Sequence, residues 1–154
     1  LRDKRIGLDR LAFKDWLGVF MFHSYIEYPA TELPSAIEHV NLGTSKRSKG
    51  AAGFVCYGPY HRFPAGAYTA GFDLLCLNHR PVTGEILLDV SDSGLGQLAK
   101  TNLDMRLLGA DVPVFLGVDF DLTKIAERLE VRLHVSEGLI IQIDKLAIFR
   151  RNIA

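Results

Sequence analysis

YGPYHRFPAGAYTAGFDLLCL, residues 57–77, is the stretch that decides the fold. Gly58-Pro59 predicts one turn, and Pro64-Ala65-Gly66 a second. After them Tyr68, Ala70, Phe72, Leu74 and Cys76 alternate with Thr69, Gly71 and Asp73. A period of two sends the first set to one face of a sheet, so the spacing predicts a long strand entered through a rigid corner.

The same signal repeats on both sides. Upstream, residues 51–57 read as a strand. Downstream, a turn over 78–84 leads to a strand at 85–91, with Ile86, Leu88 and Val90 facing one way. Asp92-Ser93-Gly94 closes a hairpin onto 95–103, and 112–122 places Val114, Leu116, Val118 and Phe120 inward. Residues 129–135 carry the cleanest half-buried pattern, Leu129, Val131, Leu133 and Val135 against Glu130, Arg132 and His134. The nearly continuous apolar run of 139–150 predicts a strand covered on both faces or bent by a bulge near Lys145. About seven strands with no helices between them predict an all-β, antiparallel two-sheet sandwich of jelly-roll type. Each inward Leu, Val, Ile or Phe contributes roughly 1.5–3 kcal/mol when fully buried, so such a core needs no ligand to hold it.

The N-terminal third is less regular. Leu8, Leu11, Ala12, Trp16, Val19 and Phe20 recur at helical spacing behind Asp9, a capping residue. Residues 19–28 fit a strand equally well, with Phe20, Phe22, Ile26 and Tyr28 on one side. Residues 29–50 read as loop, with one helical turn over 35–40. Residues 1–50 are therefore expected as an extension, containing a short helix, packed on a sandwich of residues 51–154.

Composition sets the outer bounds. The 154 residues suit one domain, and 48% hydrophobic against 23% charged describes a globular chain, not a disordered one. Lys plus Arg and Asp plus Glu both number 18. Without a basic excess, binding to nucleic acid or to an anionic membrane is not expected. The one basic cluster, Lys46, Arg47 and Lys49, reads as a solvated loop. The two cysteines, Cys56 and Cys76, sit in apolar strand patterns and read as reduced and buried. The apolar run 16–22 is far short of the roughly 20 residues of a membrane span. With no signal-peptide pattern and no Asn-x-Ser/Thr acceptor, a cytoplasmic location is expected. An opening Leu1 in place of Met fits a piece of a longer polypeptide or a trimmed one.

The YGPYHRFPAGAY stretch and the later LEVRLHVSEGLIIQIDKLAIFRR resemble small bacterial β-sandwich domains akin to carbohydrate-binding modules, of the kind that accompany glycosyltransferases or methyltransferases of surface-polysaccharide synthesis. The resemblance covers residues 50–151. It rests on the corner Tyr57 to Tyr60, the turn Pro64 to Tyr68 and the terminal strand Ile143 to Leu146. It implies glycan recognition without chemistry, as an accessory to polysaccharide biosynthesis, with a fused or associated enzyme as partner. It also implies a structural calcium near the end of the last strand, where Asp144 stands, with Glu27 or Glu32 contributing oxygens. No other cofactor is expected.

Sugar binding uses an aromatic ring against the C–H face of a pyranose, flanked by polar groups that read its hydroxyls. Tyr57, Tyr60, His61 and Arg62 supply that chemistry within six residues of a corner, and Trp16 joins them from the extension. A structural reading stands beside this one: Tyr57 and Tyr60 pin the corner through hydroxyl bonds to backbone. Asp119 and Asp121 share a strand face at roughly 7 Å, within the range of glycosidase carboxylates, yet they fit solvated edge residues better. The five histidines lack zinc spacing, Gly94-Leu95-Gly96 is a hairpin turn, and no nucleophile elbow surrounds Ser91 or Ser93. The leading expectation is a non-catalytic glycan-binding jelly roll. The alternative is an interaction or homodimerisation module using the aromatic-rich residues 16–28.

Overall fold

The computed structural model describes residues 25–80, 83–105 and 109–151. Its strands are β1 (Tyr25–Pro29), β2 (His39–Leu42), β3 (Ser45–Ser48), β4 (Gly53–Phe63), β5 (Gly66–Cys76), β6 (Glu85–Asp92), β7 (Gly96–Asp104), β8 (Val114–Leu122), β9 (Ala126–Val135) and β10 (Ile141–Arg150). They form two antiparallel sheets, a larger one in the order β2-β3-β10-β5-β8, with β1 also paired to β10, and a smaller one in the order β4-β9-β6-β7. This is the two-sheet, jelly-roll sandwich that the alternation predicts.

Alternation places the core between the layers. In β9, Leu129, Val131, Leu133 and Val135 are fully buried, and Ile86, Leu88 and Val90 of β6 join them. From the larger sheet come Tyr68, Ala70, Phe72, Leu146 and Ile148, all equally buried. The bulge near Lys145 is there: the β10–β5 register shifts between Ile143 and Lys145, leaving Asp144 as the extra residue. The 92–94 hairpin also forms. The Asp92 carboxylate accepts the backbone N–H of Gly94 at 2.9 Å and of Leu95 at 3.1 Å.

The decisive stretch is built differently from its prediction. Gly58-Pro59 is not a turn between strands; β4 runs straight through it, with register shifts between Phe54 and Cys56 and again between Pro59 and His61. The true corner is Pro64-Ala65, where the chain leaves the smaller sheet and enters β5 of the larger one. Tyr68, not Tyr57 or Tyr60, pins it: its hydroxyl donates to the Pro64 carbonyl at 2.5 Å, while its ring stacks on Phe120 at 5.5 Å.

Residues 29–50 also depart from the expected loop. They carry β2 and β3, and the one helical turn is a 3-10 turn at Ala30–Glu32 instead of at 35–40. From Tyr25 onward the expected extension supplies strands of the larger sheet. The predicted N-terminal helix lies outside the described residues. Lys46, expected in a solvated loop, is 2% exposed in β3, where its ammonium donates to the Leu33 carbonyl and to Ser35 Oγ. Those two acceptors offset the cost of burying its charge and tie the 33–35 segment to the sheet.

Titration of the interior gives a pH dependence of definite sign. Burial pushes the Tyr68 phenol and the Cys56 thiol up to about 12. A raised pKa means the folded state holds its proton longer than the unfolded one, so this stability is complete below about pH 9 and is lost as pH climbs to 12. Lys46, held below its ordinary value by burial, works in the opposite sense but is a single group. We expect the melting temperature to stay level from pH 7 to about 8.5 and to fall steadily above that. A melting temperature unchanged at pH 11 would contradict the buried protonated pair. Tyr68→Phe should cost about 1 kcal/mol at pH 7 by urea unfolding, through loss of the hydroxyl bond to Pro64.

Candidate functional site

The site begins with a change of phase in β4. In a regular strand, residues three apart point to opposite faces. The shift between Phe54 and Cys56 consumes one residue, so Val55 and Cys56 are both buried and Tyr57 returns to the same outer side as Phe54. The shift between Pro59 and His61 does this again for Tyr60, whose φ is +65°. Phe54, Tyr57 and Tyr60 thus line one edge of the smaller sheet's outer face.

Opposite them stand the outward residues of β9 and β6. His134 is paired with both Phe54 and Leu87, and Arg132 with both Tyr57 and Asp89. On β7, Lys100 is the partner of Asp89. Phe54, Leu87, Asp89, Gln97, Lys100, Arg132 and His134 enclose a depression of about 270 Å³. The His134 ring meets Phe54 edge-on at 5.1 Å, and the Arg132 guanidinium lies 4.8 Å above the same ring. Arg132 in turn gives two hydrogen bonds to the Asp89 carboxylate, from Nε at 2.9 Å and from Nη2. A half-covered aromatic ring, a fixed guanidinium, a carboxylate, an amide and an ammonium therefore share one small groove.

Tyr57 and Tyr60 continue the face beyond Arg132, their rings edge to face at 6.4 Å. The Tyr60 hydroxyl donates to Glu130 at 2.5 Å, and Arg128 lies 4.9 Å over its ring. Burial first, then the bond to Glu130 and that residue's charge, push the Tyr60 phenol up to about 12. It remains a donor at any ordinary pH.

The other predicted residues go elsewhere. His61 pairs with core-facing Leu129, and its Nδ1 is hydrogen-bonded to the Tyr28 hydroxyl at 2.9 Å, so it packs against β1 and turns away from Tyr57 and Tyr60. Arg62 is bound through Nε to Glu127 at 2.7 Å at the end of the face. Trp16 lies outside the described residues. Asp144 belongs to the other sheet, where it accepts from Ser45 Oγ at 2.6 Å. Glu27 is engaged by Lys145 at 2.7 Å, and among the described residues no three His, Cys, Asp or Glu side chains converge. Calcium needs six to eight oxygens, and this donor set does not fit it.

Asp119 and Asp121 are held by Thr69 at 2.5 Å and Arg151 at 2.9 Å, as befits structural edge residues. Phe54, Asp89, Gln97 and Lys100 carry no sequence signal as site residues, and Arg132 and His134 stand out only as the polar side of the 129–135 alternation. The usable signal was the polar half of the 129–135 alternation, which fixes what the outer face of a central strand presents.

No family model matches the chain, and no curated protein does. Solved structures do. The chain is similar to a xylan-binding module, CBM15, with a TM-score of 0.60 at 12% identity, over 86% of this chain and 99% of that one. It is also similar to the CBM36-1 domain of a multidomain xylanase from the hindgut metagenome of Trinervitermes trinervoides, with a TM-score of 0.56 at 12% identity, over 84% and 99%. A third is the C-terminal CBM6 of LamC, a marine laminarinase from Zobellia galactanivorans, with a TM-score of 0.51 at 12% identity, over 82% and 99%. At these identities the likeness is one of fold: the described chain has the β-sandwich of carbohydrate-binding modules.

Proposed function

We propose that this protein is a non-catalytic glycan-binding module that receives a saccharide on the outer face of its smaller sheet, as an accessory to an enzyme of polysaccharide assembly. The observation that carries the reading is the Phe54 ring, set beside His134 and beneath Arg132 in a groove whose other walls are Asp89, Gln97 and Lys100. Aromatic carbon takes the C–H face of a pyranose, and the surrounding donors and acceptors take its hydroxyls. The fold shared with a xylan-binding module supports the same reading.

The way the carboxylates of this face are held supports the non-catalytic reading. Asp89 is engaged by Arg132 and Glu130 by Tyr60, so each acts as an acceptor in a fixed network. Glycoside hydrolysis needs one carboxyl free to protonate a leaving group and a second facing it across the bond. Of the aromatic-rich residues 16–28 named by the interaction-module alternative, 16–24 lie outside the described residues, and Ile26 and Tyr28 are core residues at 1% and 4% exposure.

A glycan array probed with the purified protein, followed by titration of the best hit, tests the proposal. Phe54→Ala should weaken binding about ten-fold or more, equivalent to about 1.4 kcal/mol. Because Phe54 faces outward, the melting temperature should move by only a few degrees. Arg132→Met should do the same, losing the polar contact while keeping the bulk. An array without a hit, or affinity untouched by both substitutions, would overturn the reading.

A further inference from the structure

The outer face of the larger sheet carries a second aromatic arrangement. Gly71 of β5 and Gly117 of β8 are register partners. A methyl group on Gly71 would come within 2.6 Å of Phe115 Cζ, and one on Gly117 within 2.5 Å of Phe115 Cε2. The paired glycines are thus the seat on which the Phe115 ring rests, and the ring is still 42% exposed. Phe149 lies 6.3 Å from it at a tilt of 37°, and Tyr25 lies 6.1 Å from Phe149 at 31°. Three gently inclined rings therefore run across this face.

Beside Phe115 is a depression of about 340 Å³ with Asp73 and Asp144 in its walls. Lys145 lies 3.7 Å from Asp73 and 2.7 Å from Glu27, and Asp144 accepts from Ser45 Oγ at 2.6 Å, so each acid already has one partner and keeps lone pairs to spare. What those carboxylates still offer is acceptor capacity for neutral donors. An apolar segment laid over the strip would strip water from both carboxylates and give nothing in return. A pyranoside instead presents C–H groups to the rings and hydroxyl donors to the acids.

We propose that this face is a second saccharide site, taking a neutral pyranoside chain against Phe115 with Asp73 and Asp144 as hydroxyl acceptors. It lies back to back with the Phe54 groove, one layer on each side of the core. Two chains can then be held by one protein, which raises avidity for a dense polysaccharide without any new contact. The proposal is argued from its own residues and stands or falls separately from the smaller-sheet reading.

The test uses ¹⁵N-labelled protein titrated with xylohexaose, cellohexaose and laminarihexaose, each to about 10 mM so that a millimolar Kd is seen. With at least one of them we expect amide shifts at Leu75, Val114 and Phe115, separate from any around Phe54 and His134. Asp144→Asn, an exposed and structurally mild change, and Phe115→Ala should each weaken that set about ten-fold, equivalent to about 1.4 kcal/mol. Phe115→Tyr should retain it. Should Phe115→Ala fail to fold, Asp144→Asn decides. Shifts confined to the Phe54 face, an absence of shifts at Phe115 with all three sugars, or shifts there that survive Asp144→Asn would overturn the second site.

Discussion

The inward row of β9 is the constraint from which the rest follows. Leu129, Val131, Leu133 and Val135 are fully buried between the layers, and β9 has β4 on one side and β6 on the other. A strand in that position has only its outer side to give to anything else. Glu130, Arg132 and His134 are therefore set at fixed spacing along a rigid backbone, and each is aligned by register with a residue on both neighbouring strands. The groove owes its geometry to the core behind it, because a side chain on a central strand cannot shift without disturbing the ladder.

Much of this architecture was legible in the sequence where one face of a strand is uniformly apolar. Residues 85–91 and 129–135 announce themselves by alternation, and the apolar run that breaks at Asp144-Lys145 announces its bulge. The strands at 39–48 were not legible, because HVNL lies on the sheet edge and is largely exposed, while the buried positions of SKRS are a lysine and a serine, so its alternation of burial has no apolar residue to show it. Lys46 illustrates the reason well. Its ammonium is buried only because the Leu33 carbonyl and Ser35 Oγ meet it, and those partners lie eleven and more residues away in sequence. Nor does alternation say which sheet a strand joins: Pro64-Ala65 reads as a tight turn whether it closes a hairpin or carries the chain from one layer to the other.

The proposed binding face was half legible for a related reason. Tyr57 and Tyr60 were visible as aromatic residues near Gly and Pro, and they do sit on the face. Phe54 was not, because a strict period of two puts Phe54 and Tyr57 on opposite sides. The register shift between Phe54 and Cys56 undoes that parity, the one between Pro59 and His61 does the same for Tyr60, and bulges of this kind leave no reliable mark in a single sequence. His61 was misread by the same mechanism in reverse: adjacent to Tyr60 and chemically suited to a sugar, it is turned by the second shift toward Tyr28.

Preorganisation explains why so many polar groups on the outer faces are already bonded to one another. Arg132 is fixed by two hydrogen bonds to Asp89 and by its seat over Phe54, so little side-chain freedom remains to be lost when a ligand arrives. Tyr60 is fixed by Glu130, and on the other sheet Lys145 is fixed by Glu27. With Asp89 paired to Arg132 on the smaller sheet and acidic and basic residues equal in number over the whole chain, long-range attraction of a polyanion is weak. What remains is a set of oriented donors, acceptors and ring faces, which discriminates by shape and hydrogen-bond pattern. That is the kind of surface that recognises an uncharged, hydroxyl-rich chain, and it is the opposite of what a phosphate backbone requires.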